Sequence, residues 1–309
     1  MARIVFLNPN PRHLVSGGVK TIYRQAEMLT ELGFDAHVFQ PDGRAHWFNS
    51  PASVLTSPQF MPSQGETLVF PENATGWAAN LAQMPLPARK VMFCQNQFYV
   101  FDGAIAAEQL SSVGYAKIVC PGEVSKGFLS QFFHFPHIDI VPYHVDRDVF
   151  FPRSKEMQIA LMPHKLPRQA ALIRAMLHAK YPHRKSIPWQ AIANTTEEQT
   201  AELLGRSTIY LSLSSMESFG LVPIEAMASG CIVVGFHGYG GMEYASPENG
   251  FWFSPEFLDQ VVDALASAIT GLERGEGILD SMRSAGHKTA ERYSRERTKE
   301  ALQRVYGSM

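Results

Sequence analysis

Residues 208–236 contain a strand, a glycine turn, a helix and a second strand, and this run constrains the fold more than any other part of the chain. Its first part is apolar and rich in β-branched residues, which predicts a buried strand that ends at Ser214 or Ser215. Pro223 suits the first position of a helix, and Gly230 ends that helix before the next apolar strand. This order of elements calls for a parallel sheet with helices on its faces.

The same alternation of strand and helix occurs in both halves of the 309-residue chain, so the sequence predicts an α/β protein with two domains. A polar turn between Pro142 and Pro152 is expected to connect them. We therefore predict a first domain over 1–145, a second over 146–292, and a charged C-terminal helix over 293–309.

Composition excludes several classes of protein. The 27 basic and 29 acidic residues nearly balance, which argues against a nucleic-acid partner. Cys94, Cys120 and Cys231 all fall in or beside predicted buried strands, as expected of reduced cysteines in a cytoplasmic protein. No apolar run approaches the roughly 20 residues of a membrane span, and the N-terminal strand is too short for a signal peptide. Peripheral contact with the inner face of a membrane stays open.

Two acids flank the glycine turn of the segment 208–236. Glu217 follows the strand, and Glu225 is expected in the first turn of the helix, both facing one crevice. The helix N-terminus between them offers free N–H groups and a positive dipole, which suit a phosphate. A carboxylate accepts hydrogen bonds from sugar hydroxyls, so the segment predicts a site for a nucleotide-sugar. An acid such as Glu225 also stabilises a helix start without any ligand.

The run Glu217-Ser-Phe-Gly-Leu-Val-Pro-Ile-Glu225-Ala-Met-Ala-Ser-Gly resembles the donor motif of the retaining GT-B glycosyltransferases, in the large group 1 or family 4-like family. The resemblance spans nearly the whole chain and is strongest over 206–254. It implies two Rossmann-like domains that face each other across a cleft, with the donor on the second and the acceptor on the first. It also implies that the C-terminal helix crosses back to the first domain.

The resemblance assigns roles to the residues of the motif. Glu225 would hold the ribose hydroxyls of the nucleotide, and Glu217 would act in catalysis beside the transferred sugar. The residues that would offer backbone groups to the sugar and the diphosphate are Ser218, Phe219, Gly220 and Leu221.

Cations are needed beside the leaving diphosphate, and here the chain departs from the family. Relatives carry an Arg and a Lys as G-R-x4-K after the first strand of the second domain, and that spacing is absent. Lys165 is our first choice for this role and Arg168 the second, while His164 contributes only if it is protonated. A solvated surface charge is the alternative for the lysine.

Candidate acceptor-side residues lie in the first domain. Gly17 and Gly18 precede a helix predicted from Val19, and relatives carry a similar glycine pair at this place. The two glycines either form a plain turn or let the backbone come close to the diphosphate or the acceptor. Gln95 and Asn96 end a strand, and they either position acceptor hydroxyls or are buried structural amides.

Two further segments leave alternatives open. The glycine-rich turn His237–Glu243 resembles one that lies beside the donor in relatives, and it also fits a plain loop. The aromatic run Phe128, Phe132, Phe133 and Phe135 fits either the core or an apolar patch for a lipid-linked acceptor, and we favour the core.

The resemblance therefore implies a hexosyltransferase that moves a sugar from a nucleotide-diphosphate sugar to a saccharide or lipid-linked acceptor, with retained anomeric configuration. It implies neither a cofactor nor a metal, and it places no protein nucleophile, so positioning and electrostatics would carry the reaction. The alternatives are a non-catalytic nucleotide-sugar-binding protein and a GT-B epimerase. No strand leads into G-x-G-x-x-G, which disfavours a dinucleotide oxidoreductase, and acids that flank a helix start disfavour a glycosidase.

Overall fold

A computed structural model of the chain describes residues 2–57, 60–135 and 137–309. By its internal contacts the chain divides into two compact units, close to the expected boundary. One unit is Met1–Tyr143 with Glu296–Met309, and the other is His144–Arg295. Both units consist of a parallel sheet with helices, so the predicted α/β class is confirmed.

Among the described residues up to Tyr143, the first unit has seven strands and three α-helices, and a fourth α-helix comes from the C-terminal segment. The strands are β1 (Ile4–Leu7), β2 (Ala36–Phe39), β3 (Ser53–Leu55), β4 (Thr67–Pro71), β5 (Arg89–Phe93), β6 (Lys117–Cys120) and β7 (Ile138–Ile140). The helices are α1 (Gly17–Glu31), α2 (Gly76–Gln83) and α3 (Glu123–Phe132). The sheet order is β3-β2-β1-β4-β5-β6-β7, with every pair parallel.

The second unit, in which every residue is described, has five strands and five α-helices. The strands are β8 (Glu156–Leu161), β9 (Trp189–Ala191), β10 (Ser207–Ser214), β11 (Ile232–His237) and β12 (Gly250–Phe253). The helices are α4 (Pro167–Lys180), α5 (Glu197–Arg206), α6 (Leu221–Ala228), α7 (Leu258–Arg274) and α8 (Gly277–Glu291). The sheet order is β12-β11-β10-β8-β9, again all parallel.

Each sheet contains one point at which the chain reverses its direction of winding. In the first unit the reversal lies between β1 and β4, and in the second it lies between β8 and β10. The loops that follow two such strands depart to opposite faces of the sheet and leave a crevice at its carboxyl edge. Ligands of doubly wound proteins bind in this crevice, so the loops after these strands are where a site is expected.

Helix α6 begins two residues earlier than the sequence suggested. It starts at Leu221, so Pro223 is its third residue, and Glu225 lies in the second turn instead of the first. The first four N–H groups of a helix have no partner within the helix, so a proline is tolerated anywhere in that turn. The earlier start is set by Gly220, which adopts a left-handed conformation immediately before the helix.

The aromatic run of α3 is only partly core, so our preference for the core is wrong in part. Phe133 and Phe135 pack, partly buried, against the core of the first unit. Phe132 is 57% exposed, and the half-buried Phe128 contacts the ring of Phe98 with 5.2 Å between centroids. The alternative, an apolar patch for a lipid-linked acceptor, stays a prediction.

The C-terminal helix α9 (Arg295–Gly307) packs on the first unit. The ring of Tyr306 lies 6.2 Å from that of Phe6 in β1, and Lys117 donates a hydrogen bond of 3.1 Å to the carbonyl of Val305. In the described part of the chain, no helix is both long and apolar enough to cross a membrane. All the cysteines are buried and free, as predicted.

Lys155, at the start of the second unit, holds together the elements that carry the acidic motif. Its ammonium donates to the carbonyl oxygens of Leu204 at 3.3 Å, Ser207 at 2.7 Å and Ser229 at 2.6 Å. These carbonyls lie near the C-termini of α5 and α6, where a cation also complements the helix dipoles. Lys155 therefore fixes α6 against β10.

We expect Lys155→Met to destabilise the second unit by about 3 kcal/mol, because hydrogen bonds to a charged donor are lost and carbonyls are left unsatisfied. Urea unfolding followed by tryptophan fluorescence measures this, since Trp189 and Trp252 lie in that unit. The exposed Lys185 provides the control, and Lys185→Met should unfold like the wild type. Equal midpoints for all three proteins would contradict the role of Lys155.

Candidate functional site

An ion pair joins the two loops at the winding reversal of the second unit. Lys165 lies in the loop after β8, Glu217 lies in the loop after β10, and the ammonium of the first donates to Oε1 of the second. The side chains are 24% and 26% exposed, so a ligand in solution can reach both. The structure therefore brings together the predicted catalytic acid and the first-choice cation.

The start of α6 lies directly beside this pair. Gly220 has φ +76° and no side chain that could cap the helix, which leaves the first N–H groups of α6 open to a ligand. A Cβ at Gly220 would lie only 3.2 Å from Oε2 of Glu217. Any other residue would therefore be strained in its backbone and would crowd the acid.

The turn His237–Glu243 supports the loop that carries Glu217. Gly240 donates its N–H to the carbonyl of Glu217 at 2.8 Å, and Tyr239 donates to the carbonyl of Ser215 at 2.9 Å. A Cβ at Gly240 would lie 2.0 Å from the carbonyl carbon of Ser218, so only glycine allows this approach. The turn is thus a backbone support for the acidic loop, which distinguishes it from a plain connection.

Glu225 is buried on α6, with 6% of its surface exposed. Burial raises the pKa of Tyr210 well above its ordinary value, and the charges of Glu217 and Glu225 act in the same direction. The charges of both carboxylates therefore act on the same ring. Ser218 and Phe219 are also buried, with 6% and 1% exposure.

The other predicted cations form no ion pair with Glu217 or Glu225 in this unit, where every residue is described. His164 and Arg168 are exposed, and Arg168 is the second residue of α4. Within the described ranges, the guanidinium of Arg168 forms neither an ion pair nor a hydrogen bond. Lys165 is the predicted cation that the structure places against Glu217, which fits our order of preference.

In the first unit, Gly18 and Gln95 lie close together at the carboxyl edge of the sheet. A Cβ at Gly18 would lie 2.9 Å from Oε1 of Gln95, so the glycine admits this side chain. We predicted that Gly17 and Gly18 precede the helix. In the structure they are instead the first two residues of α1. The reason is that Ser16 caps the helix and accepts the N–H of Gly18 at 3.2 Å.

Glu72, which the sequence analysis did not identify, holds the loop after β5. Its carboxylate is buried, with the residue 6% exposed, and accepts the N–H of Asn96 at 2.9 Å. Asn96 in turn accepts the N–H of Phe98 at 3.1 Å, so part of its role is structural. Burial raises the pKa of Glu72 from 4.5 to about 7, although hydrogen bonds from backbone N–H groups lower it in part. The sequence feature that could have identified Glu72 is its position directly after β4, a strand that is buried throughout.

No group of three or more His, Cys, Asp or Glu side chains in the described residues is placed to hold a metal ion. The site of the second unit instead combines two carboxylates, one ammonium and a free helix start. The expectation that the reaction needs neither metal nor cofactor stays a prediction.

Residues 190–288, which include the whole acidic motif, match the family model described as glycosyl transferases group 1. An alpha-1,6-glucosyltransferase of Actinobacillus pleuropneumoniae serotype 7 is 25% identical over 300 residues, which cover 91% of this chain and 88% of that protein.

Solved structures are similar over the full length. Sucrose-phosphate synthase from Thermosynechococcus elongatus gives a TM-score of 0.72 at 13% identity, over 100% of this chain and 99% of that one. A pneumococcal O-GlcNAc transferase in complex with UDP and GlcNAc gives 0.69 at 12% identity, over 99% and 98%. HepE of Anabaena in complex with UDP and glucose gives 0.67 at 13% identity, over the whole of both chains.

The buried acid Glu72 predicts a pH dependence of stability. Because its pKa is raised from 4.5 to about 7, the folded protein holds this proton more tightly than the unfolded chain. The stability that results is complete below pH 4.5 and is lost as the pH rises to about 7. The loss is on the order of 3 kcal/mol. Glu72→Gln has no such proton, so its Tm relative to the wild type should rise across this interval.

Thermal melts at a series of pH values measure this difference. The exposed acid Glu108 supplies the control, because Glu108→Gln removes one carboxylate and leaves the hydrogen bond from Asn96 to Glu72 intact. Parallel Tm curves for Glu72→Gln and the wild type would show that the carboxyl group does not titrate in this interval.

Proposed function

We propose that this chain, which has the GT-B fold and a match to the group 1 glycosyltransferase model in its second unit, is a hexosyltransferase. It would move a hexose from a nucleotide-diphosphate sugar to a saccharide or lipid-linked acceptor with retained anomeric configuration. The observation that carries the proposal is the contact of Lys165 with Glu217 beside the open start of α6. One cation and one helix N-terminus there suit a diphosphate, and the acids suit sugar hydroxyls.

Each side chain then has a distinct task. Glu225 holds the ribose hydroxyls, and its burial lets the carboxylate act at low local dielectric. Glu217 accepts a hydrogen bond from the transferred sugar, and Lys165 neutralises the departing diphosphate. The backbone of Gly220 and Leu221 contributes N–H groups at the start of α6. Arg168 is exposed and adds positive charge as a secondary partner of the diphosphate, and the exposed His164 does so only when it is protonated.

The chemical step requires no protein nucleophile in this proposal. As the bond from the sugar to the diphosphate breaks, negative charge grows on the leaving oxygen and positive charge on the sugar. Lys165 and the helix dipole stabilise the negative charge on the leaving oxygen. The leaving phosphate helps to take the proton of the acceptor hydroxyl, which attacks from the same face of the sugar. The protein contributes preorganised electrostatics and alignment of the reactants.

The relatives and the first unit support the proposed donor and acceptor classes. UDP-glucose is the donor to test first, because a similar protein is named a glucosyltransferase and similar structures contain UDP. Gln95 lies against Gly18 at the carboxyl edge of the first sheet, where its amide can bind acceptor hydroxyls. Amides bind hydroxyls without moving a proton, which fits a positioning role for Gln95 and Asn96. Among the alternatives, a nucleotide-sugar epimerase would release an altered nucleotide-sugar without transfer.

We expect Glu225→Ala to weaken use of the donor by roughly 10- to 150-fold, because a charge-assisted hydrogen bond to the ribose contributes about 1.5–3 kcal/mol. A thermal-shift screen with UDP, GDP, ADP, TDP and their sugars identifies the carrier, since a ligand of the folded state raises the Tm. Glu225→Gln keeps the shape of the side chain, so it separates loss of charge from loss of packing. Unchanged donor kinetics in both variants would contradict the ribose role.

The ion pair predicts that Glu217 and the diphosphate compete for Lys165. Glu217→Gln should bind UDP about two- to fivefold more tightly, because a partly exposed ion pair contributes up to about 1 kcal/mol. Sugar transfer by the same variant should nevertheless fall, since the hydrogen bond to the sugar is weakened. Lys165→Met should have the opposite effect and weaken UDP binding.

Isothermal titration with UDP and initial rates of transfer measure both effects. In the fully described second unit, the exposed acid Glu256 forms no ion pair with Lys165, and Glu256→Gln makes the same change in net charge. If Glu256→Gln tightened UDP binding as much as Glu217→Gln, the effect would be one of overall charge, and the competition would be disproved.

A further inference from the structure

Tyr244 contacts the one residue whose conformation sets the start of α6. Its hydroxyl donates a hydrogen bond of 2.9 Å to the carbonyl of Gly220, and the residue is 3% exposed. Burial raises the pKa of Tyr244 well above its ordinary value, and the charge of Glu217 acts in the same direction. The hydroxyl therefore stays protonated at neutral pH and keeps its role as a donor.

This hydrogen bond fixes the plane of the peptide between Gly220 and Leu221. In a trans peptide the C=O and the following N–H point in opposite directions. With the carbonyl directed at Tyr244, the N–H of Leu221 is directed away from it. Leu221 is the first residue of α6, so this N–H is one of those that have no partner within the helix.

Tyr244 itself is held by aromatic rings. Its ring centroid lies 5.6 Å from that of Phe219, 6.1 Å from that of Trp252 and 6.3 Å from that of Tyr293. The pairs are tilted by 64–79°, the edge-to-face arrangement that aromatic side chains favour. The ring has little freedom to move its hydroxyl away from Gly220.

Asn249 fixes the backbone of Tyr244. Its Nδ2 donates to the carbonyl of Tyr244 at 2.7 Å and to Oγ1 of Thr289 at 3.0 Å. Its Oδ1 accepts the N–H of Ser246 at 3.0 Å and Nε1–H of Trp252 at 2.9 Å. Both donors and both acceptor positions of the amide are used, which makes Asn249 a rigid junction between this loop, α8 and β12.

We propose that Tyr244 is a positioning residue for the donor diphosphate, which acts by holding the Gly220–Leu221 peptide so that the N–H groups at the start of α6 face the phosphates. The inference rests on the proposed function of the site. Tyr244 needs no contact with the donor for this role. Loss of its hydroxyl lowers the fraction of molecules whose peptide is in the binding orientation, and the apparent affinity falls in proportion.

Tyr244→Phe removes the hydroxyl and keeps the ring. If about a tenth of the molecules retain the peptide orientation, the dissociation constant for UDP rises about tenfold. UMP, which lacks the second phosphate, should lose less affinity than UDP. Tyr293→Phe is the matched control, because it removes a hydroxyl from the same aromatic cluster, and it should bind both nucleotides like the wild type. Isothermal titration with UDP and UMP measures these constants.

Equal losses for UDP and UMP, or no loss for either, would overturn the positioning role and leave Tyr244 a structural residue. If the wild type binds none of UDP, GDP, ADP and TDP, the proposed function itself fails, which is a different result. Should Tyr244→Phe not fold, Trp252→Phe loosens the same junction by removing one donor to Asn249. That variant should weaken UDP binding about two- to threefold, again more than UMP, and wild-type affinities would count against the proposal.

Discussion

The reversal of winding between β8 and β10 is the constraint on which the site of the second unit depends. Parallel neighbours end at the same edge of a sheet, and the reversal sends their following helices to opposite faces. The crevice that remains is bridged by one ion pair, Lys165 with Glu217. The chain then needs only short loops to place a cation, an acid and a helix start within reach of one ligand.

Local patterns were sufficient to predict most of this arrangement. The buried strand β10 and the helix α6, which Gly230 terminates, follow from residue type and spacing alone. The limits of elements were less predictable. The capping box of α5 pairs Thr196 with Gln199, whereas Thr195 and Glu198 have the same spacing, so the sequence offers two equivalent registers. Glu225 was assigned to the wrong turn of α6 because a proline tolerates any position in the first turn.

Contacts between residues distant in sequence could not be predicted. Tyr244 and Gly220 are 24 residues apart, as are Glu72 and Asn96, and neither pair forms a motif that can be seen in the sequence. In both cases a buried polar group stabilises the backbone of a loop that carries predicted ligand-binding groups. The side chains that meet a ligand are thus marked by local spacing, whereas those that hold them in place depend on tertiary packing.

The saturated amide of Asn249 has a consequence for chemical ageing. It is followed by Gly250, and an asparagine before a glycine is the dipeptide most prone to deamidation, since the next backbone nitrogen easily attacks the side-chain carbonyl. That attack requires the amide to rotate freely. Here the hydrogen bonds to Tyr244, Thr289, Ser246 and Trp252 prevent rotation. Deamidation of Asn249 therefore proceeds only when the loop opens. The rate of deamidation during storage is a measure of how often this junction unfolds locally.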